Sequence, residues 1–321
     1  MGTLKLKASM IGTLAAIIGL STLFFTILLS YTSMFNVYTL ALFVVFFNVL
    51  QWLIAPYLID AMYRVKKVSP AEEPELYNMV QRLSSKSRIR TPQIMIAKIP
   101  LPNAFAYGSP LTGNRVAVTT GLLSTLDAEE AEAVIGHELG HLRHRDVQVM
   151  MFVSILPALF YYIGYSMMWS SMYSRRDQRG ASPALIGMLA ILLYWILTFF
   201  TLYLSRLREY YADRHSSAVV EEGPRKLSEG LVKIAESTER ARRQHRNNMY
   251  NMSSLKTLFI SDPDSAARDL REVYRTNIWR SDQELVSKYL NRKVTSADQF
   301  AELFSTHPNM VKRLRALQET A

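Results

Sequence analysis

The sequence predicts a mainly α chain with a small β-sheet, built from four transmembrane helices and one polar domain assembled from two separate segments. Three observations carry this. Residues 8–59, 147–174 and 180–205 contain no charged side chain. The segments between and after them are polar and mostly helical in pattern. Within the first polar segment, "PQIMIAKI" and "RVAVTT" are short runs rich in β-formers.

Uncharged apolar runs of roughly 18 residues or more read as membrane spans. Helices are expected at about Ser9–Tyr31, Tyr38–Leu58, Val147–Trp169 and Ala184–Leu204. Lys5 and Lys7 ahead of the first run would also suit a cleaved secretory signal. That run, however, is long, lacks an Ala-x-Ala exit and is followed at once by a second uncharged run, so an uncleaved hairpin is expected. Flanking cations orient it. Lys5 and Lys7 precede the first helix, Arg64, Lys66 and Lys67 follow the second, and the connection "YTSMFN" carries no charge. The second hairpin is less uniform. Arg143, Arg145, Arg206 and Arg208 flank it, but its loop "SRRDQRG" also holds three arginines. An even number of spans places residues 61–146 and 206–321 on one side, the cytoplasmic side of the cell inner (plasma) membrane.

The expected organisation is therefore a hairpin over 1–60, the first part of the polar domain over 61–146, a second hairpin over 147–205 and the rest of the domain over 206–321. In the first part, "SPAEEPELYNMVQRLSSKS" reads as a helix with Pro70 and acidic residues in its first turn. The Gly, Pro and Asn of "NAFAYGSPLTGN" mark a turn between the two strands. Asp127 is a candidate N-cap with Glu130 as its capping-box partner. After 206, "RLREYYADRHSSAVV", "GPRKLSEGLVKIAEST" and a last segment after "HPN" are helical in pattern. Residues 239–282 are polar, basic and unpatterned.

There is no cysteine, which excludes disulfides and thiolate chemistry. The formal charge of +10 calls for an anionic neighbour, and the lipid bilayer supplies one for juxtamembrane Lys and Arg. The basic run "ERARRQHRNN" raises nucleic acid as a competitor. It lacks interleaved aromatics and any recognition motif, so no nucleic-acid partner is expected.

The chemistry sits in His137-Glu138-Leu139-Gly140-His141, an H-E-x-x-H motif. Residues i and i+4 share a helix face, so both imidazoles can meet one ion. Zn2+ accepts neutral imidazole nitrogen in tetrahedral sets. Glu138, one position on, points beside the ion, where it can take a proton from water. A surface pair of histidines is the plain alternative. His144 lies a turn further along the axis and reads as a polar helix residue. A third ligand is better sought in "REYYADRH", where Glu209 and Asp213 share a face. Glu209 would ligate, and Asp213 would accept the second N–H of a ligand imidazole. An acidic face paired with Arg206 or Arg208 is the plain alternative there. Both candidate helices abut membrane spans, so insertion would hold the site at the cytoplasmic face of the bilayer.

These residues resemble peptidase family M48, membrane zinc peptidases of the gluzincin type, and most closely its HtpX-type members, which act in protein quality control. Helix hairpin, H-E-x-x-H, second hairpin and E-x-x-x-D helix follow one another as in that family. The resemblance implies further roles. "PNAFAYG" is similar to the family's N-A-F motif, so Asn103 would contact the substrate backbone with Ala104 and Phe105 beside it. Arg115–Thr119, with Val116 and Val118, would be the edge strand on which an extended peptide pairs. "STHPNMVKRL" is similar to the family's late His-Pro motif. His307 would then stabilise the oxyanion, with Arg313 near the cleft, although Asn309 stands where the family often has a second proline. Pro308 also fits an ordinary helix start.

The reading is an integral membrane zinc endopeptidase. His137, His141 and Glu209 hold the metal, Glu138 is the general base, and protein or peptide substrates include damaged membrane proteins. A CAAX-type prenyl protease and a non-catalytic zinc-binding scaffold remain as alternatives.

Overall fold

In a computed structural model of the chain, residues 35–173, 183–244 and 281–320 are described. The expected span Ser9–Tyr31, the loop 174–180 and most of the basic segment 239–282 lie outside them. The described residues divide into two units. One combines 54–147 with 208–244 and 281–320, the other 35–53 with 148–173 and 183–207.

The elements follow in this order: α1 (Phe35–Tyr63), β1 (Val65–Lys67), α2 (Pro74–Lys86), β2 (Gln93–Ala97), β3 (Ala104–Ser109), β4 (Gly113–Thr119), α3 (Thr120–Thr125), α4 (Ala128–Arg143), α5 (Asp146–Tyr173), α6 (Pro183–Val219), α7 (Gly223–Gln244), α8 (Asp282–Asn291), α9 (Ser296–Leu303) and α10 (Met310–Gln318). Mainly helical with one small sheet is therefore the architecture observed. Among the described residues two helices are long and apolar enough to cross a membrane, Asp146–Trp169 and Pro183–Val219.

The sheet corrects two expectations. Its order is β1-β2-β4-β3. β4 pairs in parallel with β2 and antiparallel with β3, with Val116 opposite Ile94 and Ala106, and Val118 opposite Ile96 and Ala104. The strand 115–119 is thus internal, with a neighbour on each side, and cannot be the edge on which a peptide pairs. Val116 and Val118 are each 1% exposed within the main core. The edge is β3, in the stretch expected to be a turn. The real turn is shorter, closing from Ser109 to Gly113, where Gly113 has φ 71°. At Gly108, φ 151°, an added Cβ would meet the Gly113 carbonyl oxygen at 2.2 Å, so the approach of the two strands there needs glycine.

Alternation sorts the sheet's side chains. Ile94, Val116 and Val118 face a core completed by Leu76, Val80 and Leu83 of α2, Val134, Ile135 and Leu139 of α4, Leu227 and Leu231 of α7, and Leu314 of α10. Met95, Phe105, Tyr107 and Ala117 face a second cluster with Tyr63.

Two helix starts also differ from expectation. α2 begins at Pro74, since the preceding residues fold into a turn in which Ser69 N–H and Oγ donate to Glu72. α10 is capped by Asn309, whose side chain accepts from Val311 N–H, so Pro308 lies just before the helix. The capping box at Asp127 and Glu130 is formed as expected. The largest difference is α6. Separate helices over 184–204 and from 206 were expected, but one helix of 37 residues runs through both. No Gly or Pro occurs from Met188 to Glu222, so nothing stops it.

Candidate metal centre

The site is built on α4 and on the last turns of α6. The two helices approach closely because small residues face each other. A Cβ on Gly140 would lie 3.0 Å from Ala212 Cα, and one on Gly136 would lie 3.1 Å from Ser216 Oγ. Ser216 Oγ in turn donates to the Ala133 carbonyl at 2.6 Å. This contact brings Glu209 to the histidines.

His137 Nε2 and His141 Nε2 face one another at 3.1 Å. The Glu209 carboxylate lies 3.6 Å from the first and 3.4 Å from the second. The ligand-capable atoms of His137, Glu138 and His141 also fall within 4.8 Å of one another. Of the two carboxylates, Glu209 is the one facing both Nε2 atoms, whereas Glu138 accepts a hydrogen bond from Ala106 N–H on β3.

The opposite ring nitrogens are held by carboxylates. His137 Nδ1 is 2.9 Å from Asp213 Oδ1, and His141 Nδ1 is 2.6 Å from Asp146 Oδ2. A carboxylate only accepts, so both Nδ1 atoms carry protons and both Nε2 atoms turn a lone pair inward. Arg313 Nη2, at 3.2 Å from His137 Nδ1, is for that reason a neighbour of this nitrogen and not a donor to it. Arg313 is 1% exposed. It donates twice to Asp213, Nε to Oδ2 at 2.7 Å and Nη2 to Oδ1 at 2.6 Å, and its Nη1 lies 3.3 Å from Glu209 Oε2.

Two inward lone pairs beside a buried carboxylate repel unless a cation lies among them. In the chain alone the Arg313 guanidinium lies nearest, with Nη2 3.3 Å from His137 Nε2 and Nη1 3.3 Å from Glu209 Oε2. Burial opposes charge on His141, but the Asp146 and Glu209 carboxylates overcome it and raise its pKa to about 10. His137 moves the other way, through burial and the Arg313 charge. Glu209 Oε2 is buried with no hydrogen-bond partner. Two imidazole nitrogens and a carboxylate oxygen fit Zn2+, whose catalytic sites take three protein ligands and keep one position open. Glu138 stands next to this set, 4% exposed. Burial pushes its carboxyl up to about 7, with the Glu209 charge adding and the His141 charge and Ala106 N–H opposing.

Other expected residues are placed less uniformly. His307 reaches the site, with Nε2 3.8 Å from Glu209 Oε1 and Nδ1 3.0 Å from Thr306 Oγ1. Asn103 precedes β3, is 1% exposed, and its backbone N–H donates to Thr119 Oγ1. The Ala104 and Phe105 side chains are buried on opposite faces of the sheet, so neither side chain can meet a ligand. His144 caps α4 and packs its ring on Tyr211 and His215. One residue escaped the sequence reading altogether. Asp146, 2% exposed, is the acid five positions after His141, and its one signal was a carboxylate at the threshold of an apolar span.

Comparison with known proteins adds the following. The profile of peptidase family M48 matches residues 70–321. A "Protease HtpX homolog" of Thermoplasma acidophilum is 38% identical over 278 residues, 85% of this chain and 82% of that protein. A "Protease HtpX homolog 2" of Sulfurisphaera tokodaii is 36% identical over 283 residues, 86% of this chain and 83% of that protein. A "Protease HtpX homolog" of Archaeoglobus fulgidus is 33% identical over 322 residues, 99% of this chain and 88% of that protein. Among solved structures, Ste24p of S. mikatae superposes with a TM-score of 0.53 at 18% identity, covering 98% of this chain and 67% of that one. At that identity the likeness is one of fold.

Proposed function

This chain belongs to peptidase family M48, and from that premise we propose that it is a membrane-embedded zinc metalloendopeptidase whose general base is Glu138. One observation carries the proposal. Two inward imidazole nitrogens 3.1 Å apart are met by the Glu209 carboxylate at 3.4 and 3.6 Å, with a buried carboxyl raised to about 7 beside them.

His137, His141 and Glu209 would hold Zn2+, which supplies Lewis acidity toward a peptide carbonyl when bound. Glu138 takes a proton from water and returns it to the leaving amine, and a pKa near working pH suits both transfers. His307 donates toward the oxyanion. Asp213 holds His137 in its tautomer, and Arg313 offsets the paired charges of Asp213 and Glu209.

The substrate strand lies along the outer edge of β3. Thr119 N–H donates to the Asn103 carbonyl. By the alternation of antiparallel pairs, Phe105 and Tyr107 therefore also turn their backbone groups toward β4, while Ala104, Ala106 and Gly108 turn theirs outward. The Ala106 N–H on Glu138 agrees with that phase. An extended peptide on this edge would thus lie beside the base.

Four spans, a peptidase domain drawn from 61–146 and 206–321, and a cytoplasmic site in the inner membrane complete the proposal. Its support is the flanking Lys and Arg and the two apolar helices. Quality control of damaged membrane proteins is the role in keeping with the HtpX-type relatives.

The test uses the full chain in detergent, with zinc content and casein cleavage measured together. Glu138→Gln should keep one zinc and lose about 10²–10⁴-fold in cleavage. Glu209→Ala should lose the zinc as well. Cleavage by Glu138→Gln at the wild-type rate would remove Glu138 from the mechanism. A wild-type chain free of zinc would remove the metal.

A further inference from the structure

The two ligand histidines are braced from behind by different acids. Asp213 braces His137 from within α6, the arrangement expected of an E-x-x-x-D helix. Nothing in either motif accounts for the brace on His141. It comes from Asp146, the first residue of α5, and depends on the turn between α4 and α5. There Arg145 adopts φ 56°, the left-handed region that non-glycine residues rarely enter. This conformation folds the chain back, so that Asp146 Oδ2 meets His141 Nδ1 at 2.6 Å.

The other oxygen is engaged too. Asp146 Oδ1 lies 2.9 Å from Arg208 Nε. Arg208 Nε has no aligned hydrogen-bond partner, so this contact is ionic in character. Arg208 is 8% exposed and immediately precedes Glu209. One carboxylate therefore connects the ligand imidazole of α4 to the residue beside the ligand carboxylate of α6.

We propose that Asp146 is a positioning residue for the metal centre. It holds His141 with its Nδ1 proton turned away and its Nε2 lone pair turned inward, and through Arg208 it holds α6 where Glu209 meets that lone pair. The inference rests on the zinc reading above. It concerns a residue that touches neither metal nor substrate, and metal-ligating histidines are commonly oriented in this way.

The experiment compares wild type, Asp146→Asn and Asp146→Ala as full chains in detergent. Zinc affinity is read by competition with a chromogenic chelator, and the thermal midpoint of each metal-free protein is read alongside. Asn keeps an oxygen that can accept from Nδ1 but loses the charge that meets Arg208. Outer-shell partners are worth about 10–100-fold in metal affinity. Asp146→Ala should weaken zinc binding about 100-fold and Asp146→Asn about 10-fold, and the metal-free midpoints of both should fall as well, because buried Arg208 loses its carboxylate. Arg208→Gln should fall with Asp146→Asn. Zinc affinities of both Asp146 variants within threefold of wild type would overturn the proposal. So would Arg208→Gln weakening zinc as much as Asp146→Ala, since the loss would then come from the buried ion pair and not from the brace on His141. If the wild type itself binds no zinc, the metal reading fails. If it binds and the variants bind equally, only the role of Asp146 fails.

Discussion

Helices α4 and α6 each bring proposed metal ligands to the same point, yet they are built on opposite principles. α4 is bounded by its own residues. Asp127 and Glu130 close a capping box at its start, His144 caps its end, and His137 and His141 lie in its last two turns. α6 has no boundary near its ligand. It begins at Pro183, runs through an apolar stretch, and carries Glu209 and Asp213 without interruption before ending at Val219. The histidines are thus placed by the core packing of a short, self-bounded helix, and the carboxylate by the unbroken register of a long one. The contrast predicts that a break in α6 one turn ahead of Glu209 reaches the proposed metal site, while damage at the cap of α4 costs stability alone.

The strongest break is a proline at Ser205, one turn ahead of Glu209. It would remove an i→i−4 hydrogen bond and clash with the carbonyl of Thr201, at a cost of about 3 kcal/mol or more in a helix interior. If α6 is continuous, Ser205→Pro should weaken zinc binding about a hundredfold, since 1.4 kcal/mol is a factor of about ten. If the chain breaks between span and ligand helix, as the sequence first suggested, proline there should be tolerated. Chelator competition on the detergent-solubilised variant separates the two outcomes.

The contact between the helices is the next point to test. Gly140 lies between the two histidine ligands in sequence, and its missing Cβ is what lets Ala212 Cα come near. Gly140→Leu would force the side chain against backbone on α6, which cannot rotate aside. Overpacking of this kind costs about 1–3 kcal/mol. The expected result is a lowered thermal midpoint together with zinc affinity reduced by about tenfold or more, because the displaced helix carries Glu209. A variant that loses stability but binds zinc normally would mean that the contact supports the fold without setting the ligand distance.

The same contrast explains what could be read in advance. α4 announced itself, since a capping box and an i, i+4 pair of histidines are local signals that no distant contact overrides. Asp213 followed from the same spacing rule. The end of α4 was harder, because the chain turns at Arg145 without the glycine that usually marks a left-handed residue. Arg64, Arg88 and Glu222 likewise hold positive φ, so none of these four left-handed positions is marked by a glycine of its own, and Asp146 stayed hidden behind one of them. α6 failed for the opposite reason. A change from apolar to charged composition looks like a boundary, but a helix needs a breaker to stop. β3 is hidden because the Gly, Pro and Asn of "NAFAYGSPLTGN" all read locally as turn residues. In fact Gly108 serves a close strand approach and Gly113 closes the hairpin. That Val116 and Val118 sit inside the sheet depends on strand order, which pairs β2 with β4 across an intervening strand, and no local pattern encodes that order.

The gentlest perturbation tests the self-contained helix. Asp127→Ala removes the side chain that accepts from Glu130 N–H at 2.9 Å and releases the reciprocal bond from Asp127 N–H to Glu130 Oε2 at 3.1 Å. Loss of such a cap costs about 1 kcal/mol. The pairing of Asp127 with Lys233 at 3.9 Å, its own side chain 61% exposed, adds little, because exposed ion pairs are worth about 0–1 kcal/mol. Fraying begins at Ala128, and His137 lies nine positions further on, past Ala131, Val134 and Ile135 in the core. The first turn can loosen without moving the rings. Asp127→Ala should therefore lower the unfolding midpoint measurably and leave zinc affinity within about threefold of wild type, the scatter expected of a change worth under 1 kcal/mol at the site. A fall in affinity as large as that of Ser205→Pro would mean that α4, too, places its ligands through its whole length.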